Sequence, residues 1–265
     1  MAAKINHVAI MSGNYALEAK FYEAVFGMKP SPKARPTRAV SIGDGYVGLN
    51  INPRRAGRPG CLDHFGIQLD DLDATMARIR ESYPDIEIVK RPSTRPFAAV
   101  STHDPDGNIF DLTQAKGDNL KDVYTHNDWQ SARSVSHIGI RTLNPEACAQ
   151  FYVSMLGLTP ANLPIEKACG VTDGRVTIIL MPWHLTDYAG TGTASPGMDY
   201  IGFKIEDLEK FQEDIVKAGD ANPLLTPAPV GLGPEGKARL ALFARSSLGS
   251  LHIADPDGVL LDIVS

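Results

Sequence analysis

The chain has 265 residues, 43% of them hydrophobic and 22% charged, with a formal net charge of −5. That length allows one large domain or two of about 130 residues, and either can bury an ample core. The mild acidity gives no electrostatic ground for nucleic-acid binding, and no window approaches the roughly 20 apolar residues of a membrane-spanning helix. Cys61, Cys148 and Cys169 form no CxxC pair and suggest neither a disulfide framework nor a zinc ribbon. The apolar stretch at the N-terminus is too short for the core of a secretory leader, so a reduced, cytoplasmic protein is expected.

In chain order, the strand-like run NHVAIM leads into a helix over about 15–26, which Asn14 can cap and Gly27 can end. Strands fit TRAVSIG and YVGLNIN. DHFGIQL opens a second cycle, with a helix over about 71–82 started by Asp70 or Asp71, and IEIVK, FAAVST and NIFDLT close it as strands. The polar, aperiodic segment 115–133 reads as a link between halves. Beyond it, Asn144-Pro145 is a helix start, a cap followed by proline in the first turn, and Gly219 is expected to end the other helix of that half.

The chain repeats itself. NHVAI at 6–10 recurs as SHIGI at 136–140, Phe21-Tyr22 as Phe151-Tyr152, and Gly27 as Gly157, all at an offset of 130. DHFGIQLDDLDA recurs as DYIGFKIEDLEK and DPDGNIFDL as DPDGVLLDI, at offsets of 136 and 151, so the second half carries insertions on the same plan. The fold class expected is α+β: four βαβββ units paired into two tandem halves, each a curved mixed sheet forming a concave cup with helices outside. The boundaries are 1–114 for the first half, 115–133 for the linker and 134–265 for the second.

Alternation along strands sorts the polar residues. His7 is expected to share a face with Ile5 and Ala9, opposite Val8 and Ile10. His64 goes with Gly66 and Gln68, opposite Phe65, Ile67 and Leu69, and Asp111 goes with Ile109 and Thr113, opposite Phe110 and Leu112. All three polar residues fall on the smaller, more polar face. Two histidines at matched repeat positions plus a carboxylate on a third strand supply the facial triad used by non-haem iron(II), with positions left open. His7, His64 and Asp111 are therefore the candidate metal ligands, against the alternative of hydrogen-bonded structural histidines and a strand-end acceptor.

With HVAI…FYEAVFGM, DHFGIQLDD and DPDGNIFDL in the first half, and HIGI…FYVSMLGL, DYIGFKIED and DPDGVLLDI in the second, nearly the whole chain resembles the vicinal oxygen chelate superfamily. That superfamily includes glyoxalase I, bleomycin- and fosfomycin-resistance proteins, methylmalonyl-CoA epimerase and type I extradiol ring-cleaving dioxygenases. The resemblance implies a divalent metal on His7, His64 and Asp111, with Fe(II) the leading expectation and Mn(II) or Zn(II) the others. It also implies a small-molecule substrate and a homo-oligomer. The family's carboxylate is usually glutamate, whereas both halves here have aspartate, Asp111 and Asp262. The second half offers His137, Tyr200 and Asp262, a poor set because a phenol of pKa about 10 ligates weakly, and it is expected to be metal-free. Arg141 and Lys204 on the same face could balance Asp262 instead.

Three readings of function follow. An extradiol-type dioxygenase acting on a catechol-like or vicinal-oxygen substrate comes first, because the strand GYVGLNINP holds no carboxylate to act as the fourth ligand of a glyoxalase, only Asn50 and Asn52. Lewis-acid isomerase, epimerase or lyase chemistry is the second, and ligand sequestration without reaction the third. His103 and His252 are the candidate proton-transfer residues. Arg91 and Arg95 could hold a substrate carboxylate, and Arg54, Arg55 and Arg58 a local anion, although solvated loop arginines are the simpler reading. Tyr124, His126 and Trp129 could cover a cavity mouth, and the insert 227–250 could be a lid, an added strand pair or an oligomer contact.

Overall fold

The computed structural model describes residues 3–32, 38–57, 60–93, 95–120, 131–193 and 195–265. The first half holds two βαβββ units. The first comprises β1 (Ala3–Ser12), α1 (Tyr15–Phe26), β2 (Lys29–Pro30), β3 (Val40–Gly43) and β4 (Gly48–Pro53). The second comprises β5 (Cys61–Leu69), α2 (Leu72–Ser82), β6 (Val89–Lys90), β7 (Val100–His103) and β8 (Ile109–Gln114). They join through antiparallel β1 and β5 into one mixed sheet of order β2-β3-β4-β1-β5-β8-β7-β6. Gly27 ends α1 in the left-handed conformation, and Asp71 caps α2 by accepting from the Ala74 N–H.

The second half repeats the plan with β9 (Arg133–Thr142), α3 (Pro145–Leu156), β10 (Thr159–Ala161), β11 (Cys169–Thr172) and β12 (Thr177–Pro182). A short α4 (Leu185–Thr191) precedes β13 (Gly197–Ile205), α5 (Leu208–Ala221), α6 (Gly233–Arg245), β14 (Leu251–Ala254) and β15 (Leu260–Val264). The sheet order is β10-β11-β12-β9-β13-β15-β14. The 227–250 insert is thus mainly helix α6. It follows α5 where β6 follows α2 in the first half, and no strand matching β6 occurs among the described residues. Helix α5 runs through Gly219 to Ala221 and is closed by Asn222, so the glycine does not end it. Among the described residues no helix is long and apolar enough to cross a membrane. Of the linker, 121–130 lie outside the described residues, and with them Tyr124, His126 and Trp129.

Helices α1 and α3 lie between the two sheets, on the side of each away from its cup, so one continuous core serves both halves. Phe26 of α1 packs 4.0 Å, centroid to centroid, from Phe203 of β13, while Tyr152 of α3 sits against Phe65 and Phe110. The repeat explains the interlock, because the same motif residues reach across in both directions. The Tyr22 hydroxyl donates to Asp255 at 2.8 Å and the Tyr152 hydroxyl to Asp104 at 2.9 Å. Asp44 accepts from the Val135 N–H and Asp173 from the Ile5 N–H, both at 2.8 Å. Carboxylates satisfied in this way, with Asp44, Asp104 and Asp255 buried and Asp173 half-buried, bind the halves to each other, since leaving a buried partner unpaired would cost about 1–3 kcal/mol.

Strand alternation is broken where it matters most. In the β1–β5 pairing Ile5 faces Ile67 but His7 faces Gly66, so Asn6 is an extra, bulged residue. Ile5 therefore joins the apolar face with Ile67, and does not share the face of His7 as simple alternation predicts. A second bulge at Asp63 lies between the Ala9–His64 and Ile10–Leu62 pairs. The β9–β13 pairing carries the matching bulges at Ser136 and Asp199.

Candidate metal centre

His7 from β1, His64 from β5 and Asp111 from β8 meet on the concave face of the first sheet. They are 0%, 5% and 3% exposed, and one ligand atom from each lies within 4.8 Å of the others. Asp111 Oδ2 is 3.2 Å from His64 Nε2 and 3.9 Å from His7 Nε2. Ligands about 2.1 Å from one ion stand roughly 3 Å apart when adjacent, so small ring movements would close the set. His64 Nε2 is buried without a hydrogen-bond partner, because its approach to Asp111 lacks the alignment of a hydrogen bond. A buried nitrogen of that kind fits a metal ion.

Gly66 explains how His7 comes so near Asp111. It lies between His7 and Asp111 in the sheet, paired with both. Strands are about 4.8 Å apart, so the two backbones stand roughly 10 Å from each other, and one side chain must cross over β5. A Cβ on Gly66 would overlap the His7 ring, and only its absence lets the imidazole lie across the strand toward Asp111.

The bulges supply the second layer. Asn6 Oδ1 lies 2.8 Å from His7 Nδ1, and Asp63 Oδ2 lies 2.7 Å from His64 Nδ1. Each bulge residue thus accepts from the Nδ1–H of the histidine that follows it, which leaves Nε2 as the donor atom and fixes the ring. Ser101, opposite Asp111 on β7, donates to Oδ1 at 2.5 Å and leaves Oδ2 facing the histidines. Phe97 stacks on the His7 ring at 4.7 Å and shields it from water. It holds φ at +67°, a left-handed conformation costly for a bulky residue.

Burial alone would lower the pKa of His64, but the carboxylates of Asp111 and Asp63 on either side of the ring outweigh it and take it up to about 9. Burial would raise Asp111, yet the charge of the adjacent His64, with His7 and the Ser101 hydroxyl, holds it at about 2. The pair is an ionised carboxylate beside a protonated histidine, and a metal ion binding at Nε2 would displace that proton to solvent.

Through His64 the triad adjoins a cavity of about 310 Å³ lined by Met11, Asn52, Arg55, His64, Arg91 and Arg95 among others. Asn50 and Asn52 pair with Ala9 and Met11 and occupy the expected fourth-ligand strand, which presents no carboxylate. A larger cleft of about 550 Å³ lies where β5 approaches β13, lined by Cys61, Asp63, Asn108 and Met198 among others. It shares only Asp63 with the smaller cavity, and His64 and the arginines face the smaller one.

His103 is not brought to the triad. It lies two residues beyond Ser101, with Nδ1 2.7 Å from the Asp104 carbonyl and Nε2 accepting from the Glu87 N–H at 3.2 Å. His252 lies in the other half, 2.7 Å from the Ser247 hydroxyl and 3.4 Å from Asp262. Arg141 does not balance Asp262 but binds Asp199 and Ser246, and Lys204 is exposed. Of the sequence candidates, Arg58 lies outside the described residues. Sequence reasoning passed over Asn6, Asp63, Ser101 and Phe97, although the first two were visible as the residues just before each histidine.

The second cup is built differently. His137 Nε2 lies 2.9 Å from Asp262 Oδ2, which also accepts the N–H groups of Leu248 and Gly249. Tyr200 donates to the Ser246 carbonyl at 2.7 Å and packs on Phe243. Where the first cup has Asn50 and Asn52, this one has Ile179 and Met181, which pack with Tyr200 and Phe243. Burial would raise Asp262, but His137 and the two backbone N–H groups keep it below the usual carboxylate range. The end of the insert thus fills this cup, giving Asp262 amide donors.

The family model of the Glyoxalase/Bleomycin resistance protein/Dioxygenase superfamily matches residues 4–112 and again 134–263, and the chain belongs to that superfamily. No curated protein matches it. Among solved structures it is similar to the Mn(II)-bound glyoxalase from Novosphingobium aromaticivorans, at 16% identity and a TM-score of 0.62 over 99% of this chain and 81% of that one. The 2,3-dioxygenase LapB from Pseudomonas sp. KL28 gives 14% and 0.62 over 98% and 91%. A variant of homoprotocatechuate 2,3-dioxygenase from B. fuscum gives 14% and 0.61 over 99% and 71%. These likenesses establish the fold.

Proposed function

We propose that this chain is a metal-dependent enzyme of the extradiol dioxygenase type, holding a divalent ion on His7, His64 and Asp111 and taking a small substrate through two neighbouring oxygens. The observation that supports this most is the triad itself: three ligands from three strands, His64 Nε2 buried without a hydrogen bond, and an adjoining cavity. A bound iron(II) or manganese(II) would supply Lewis acidity and one-electron chemistry. The chain's own residues do the positioning. Asn6 and Asp63 hold the imidazoles by Nδ1, Ser101 holds the outer oxygen of Asp111, and Phe97 keeps water from the back of His7. In this reading residues 1–114 form the metal half and residues 134–265 a metal-free half whose cup is filled. His103 and His252 serve structure, and assembly into a homo-oligomer is expected.

The test is the metal content of the purified protein, together with oxygen uptake when catechols are added. Stoichiometric iron or manganese with uptake supports the reading. Zinc, nickel or cobalt without uptake turns it toward Lewis-acid isomerisation or lyase chemistry. Absence of any metal, with wild type and His64→Ala binding a ligand equally, leaves a sequestering protein.

A further inference from the structure

Two arginine groups far apart in sequence converge on the triad's cavity. Arg55 follows the end of β4, and Arg91 and Arg95 come from the loop between β6 and β7. That loop is tied down, since the Arg91 N–H donates to the Ala99 carbonyl, the Arg95 N–H to the Pro92 carbonyl, and Phe97 is anchored on His7. Arg91 and Arg95 are half-buried, and Arg91 Nε is fully buried without a hydrogen-bond partner. Among the described residues none of the three arginines has an ion-pair partner. The carboxylate lining the cavity, Asp63, is ion-paired with His64, and Asp111 behind it is ion-paired with His64 and His7. Burial and the neighbouring Arg91 lower the pKa of Arg95 despite the opposing attraction of Asp111 and Asp63, so the repulsion between the guanidinium groups is only partly balanced.

Two half-buried guanidinium groups without an ion-pair partner, with the exposed Arg55 beside them, are costly unless an anion joins them, and an ion on the triad would add positive charge. We infer that the substrate of this site carries a carboxylate or phosphate-type anion that docks on Arg55, Arg91 and Arg95 while its vicinal oxygens face His7, His64 and Asp111. This rests on the metal reading above and narrows it to small acids. The planar guanidinium fork matches either oxyanion in a bidentate fashion, and the cavity, at the low end of ligand-site volumes, limits the rest of the molecule.

The experiment has two arms. In the first, chelator-stripped protein is titrated calorimetrically with benzoate and with inorganic phosphate. Saturable binding of one of them is expected, naming the anion class, and it should weaken about tenfold or more in Arg91→Met and in Arg95→Met. The exposed Arg55→Met serves as a third variant, and all are checked for wild-type melting. In the second arm Mn(II) is restored and 3,4-dihydroxybenzoate is compared with catechol. The acid should bind at least tenfold tighter to wild type, and the ratio should fall toward one in the Arg91→Met/Arg95→Met protein. Wild type binding neither anion, or binding both unchanged in the variants, overturns the inference. Failure of Mn(II) to bind overturns the metal reading and leaves the first arm intact.

Discussion

Asp63 and His64 are neighbours in the chain, yet the Asp63 carboxylate lies 2.7 Å from His64 Nδ1 because a bulge at Asp63 turns it to the imidazole's side of β5. The carboxylate accepts the Nδ1 proton and directs Nε2 into the cup. Removing such a partner from a ligating histidine typically weakens metal binding about 10–100-fold. Asp63→Ala is expected to raise the Mn(II) dissociation constant by that factor, measured by titration of the stripped protein, while His103→Ala leaves it unchanged.

Metal binding should also appear as stability. An ion that binds only the folded state adds about 2.7 kcal/mol at a hundred times its dissociation constant. Adding Mn(II) to stripped wild type should raise the melting temperature by several degrees, and His64→Ala should show no such rise. Equal shifts in both proteins would place the ion elsewhere.

Gly66 and Gly202 are equivalent glycines, each under the ring of the histidine on the antiparallel neighbouring strand, His7 of β1 or His137 of β9. Gly66→Ala and Gly202→Ala should each destabilise the fold by about 1–3 kcal/mol through overpacking. Only Gly66→Ala should also lower metal stoichiometry, because only it displaces a ligand. Urea melts paired with metal analysis separate the two effects.

Asp262 holds the N–H groups of Leu248 and Gly249 as well as His137. Asp262→Ala leaves the buried His137 and the part-buried Leu248 and Gly249 N–H groups without their acceptor, at up to about 1–3 kcal/mol each. A marked loss of stability with unchanged metal content is expected. Loss of metal in this variant would show that the second cup is the ligating one.

Glu18 is 1% exposed beside Asp255, and burial together with that carboxylate pushes its pKa up to about 10 from an ordinary 4.5. The folded protein therefore keeps a proton that the unfolded chain releases above pH 4.5. Stability should fall as pH rises between those values, by up to about 1.4 kcal/mol per unit. Glu18→Gln carries the same hydrogen-bond donor without titrating. It should be the more stable protein at pH 8, with a flatter profile in urea melts from pH 5 to 9.

The repeat, the candidate ligand residues and the strands that carry them were legible in the sequence because they depend on local pattern. NHVAI matches SHIGI, DHFGIQL matches DYIGFKI, and alternation within DHFGIQL and NIFDLT sorts His64 and Asp111 to the polar face. Alternation went wrong at Ile5, because the bulge at Asn6 exists only in the pairing of β1 with β5. Tertiary structure alone decided the rest. The 227–250 insert became a helix whose end fills the second cup, since Asp262 found amide donors there. Arg55, Arg91 and Arg95 came to line one cavity because β4 and the loop before β7 meet over the triad. Spacing along the chain records which residues repeat; which of them share a space is set by long-range register and packing.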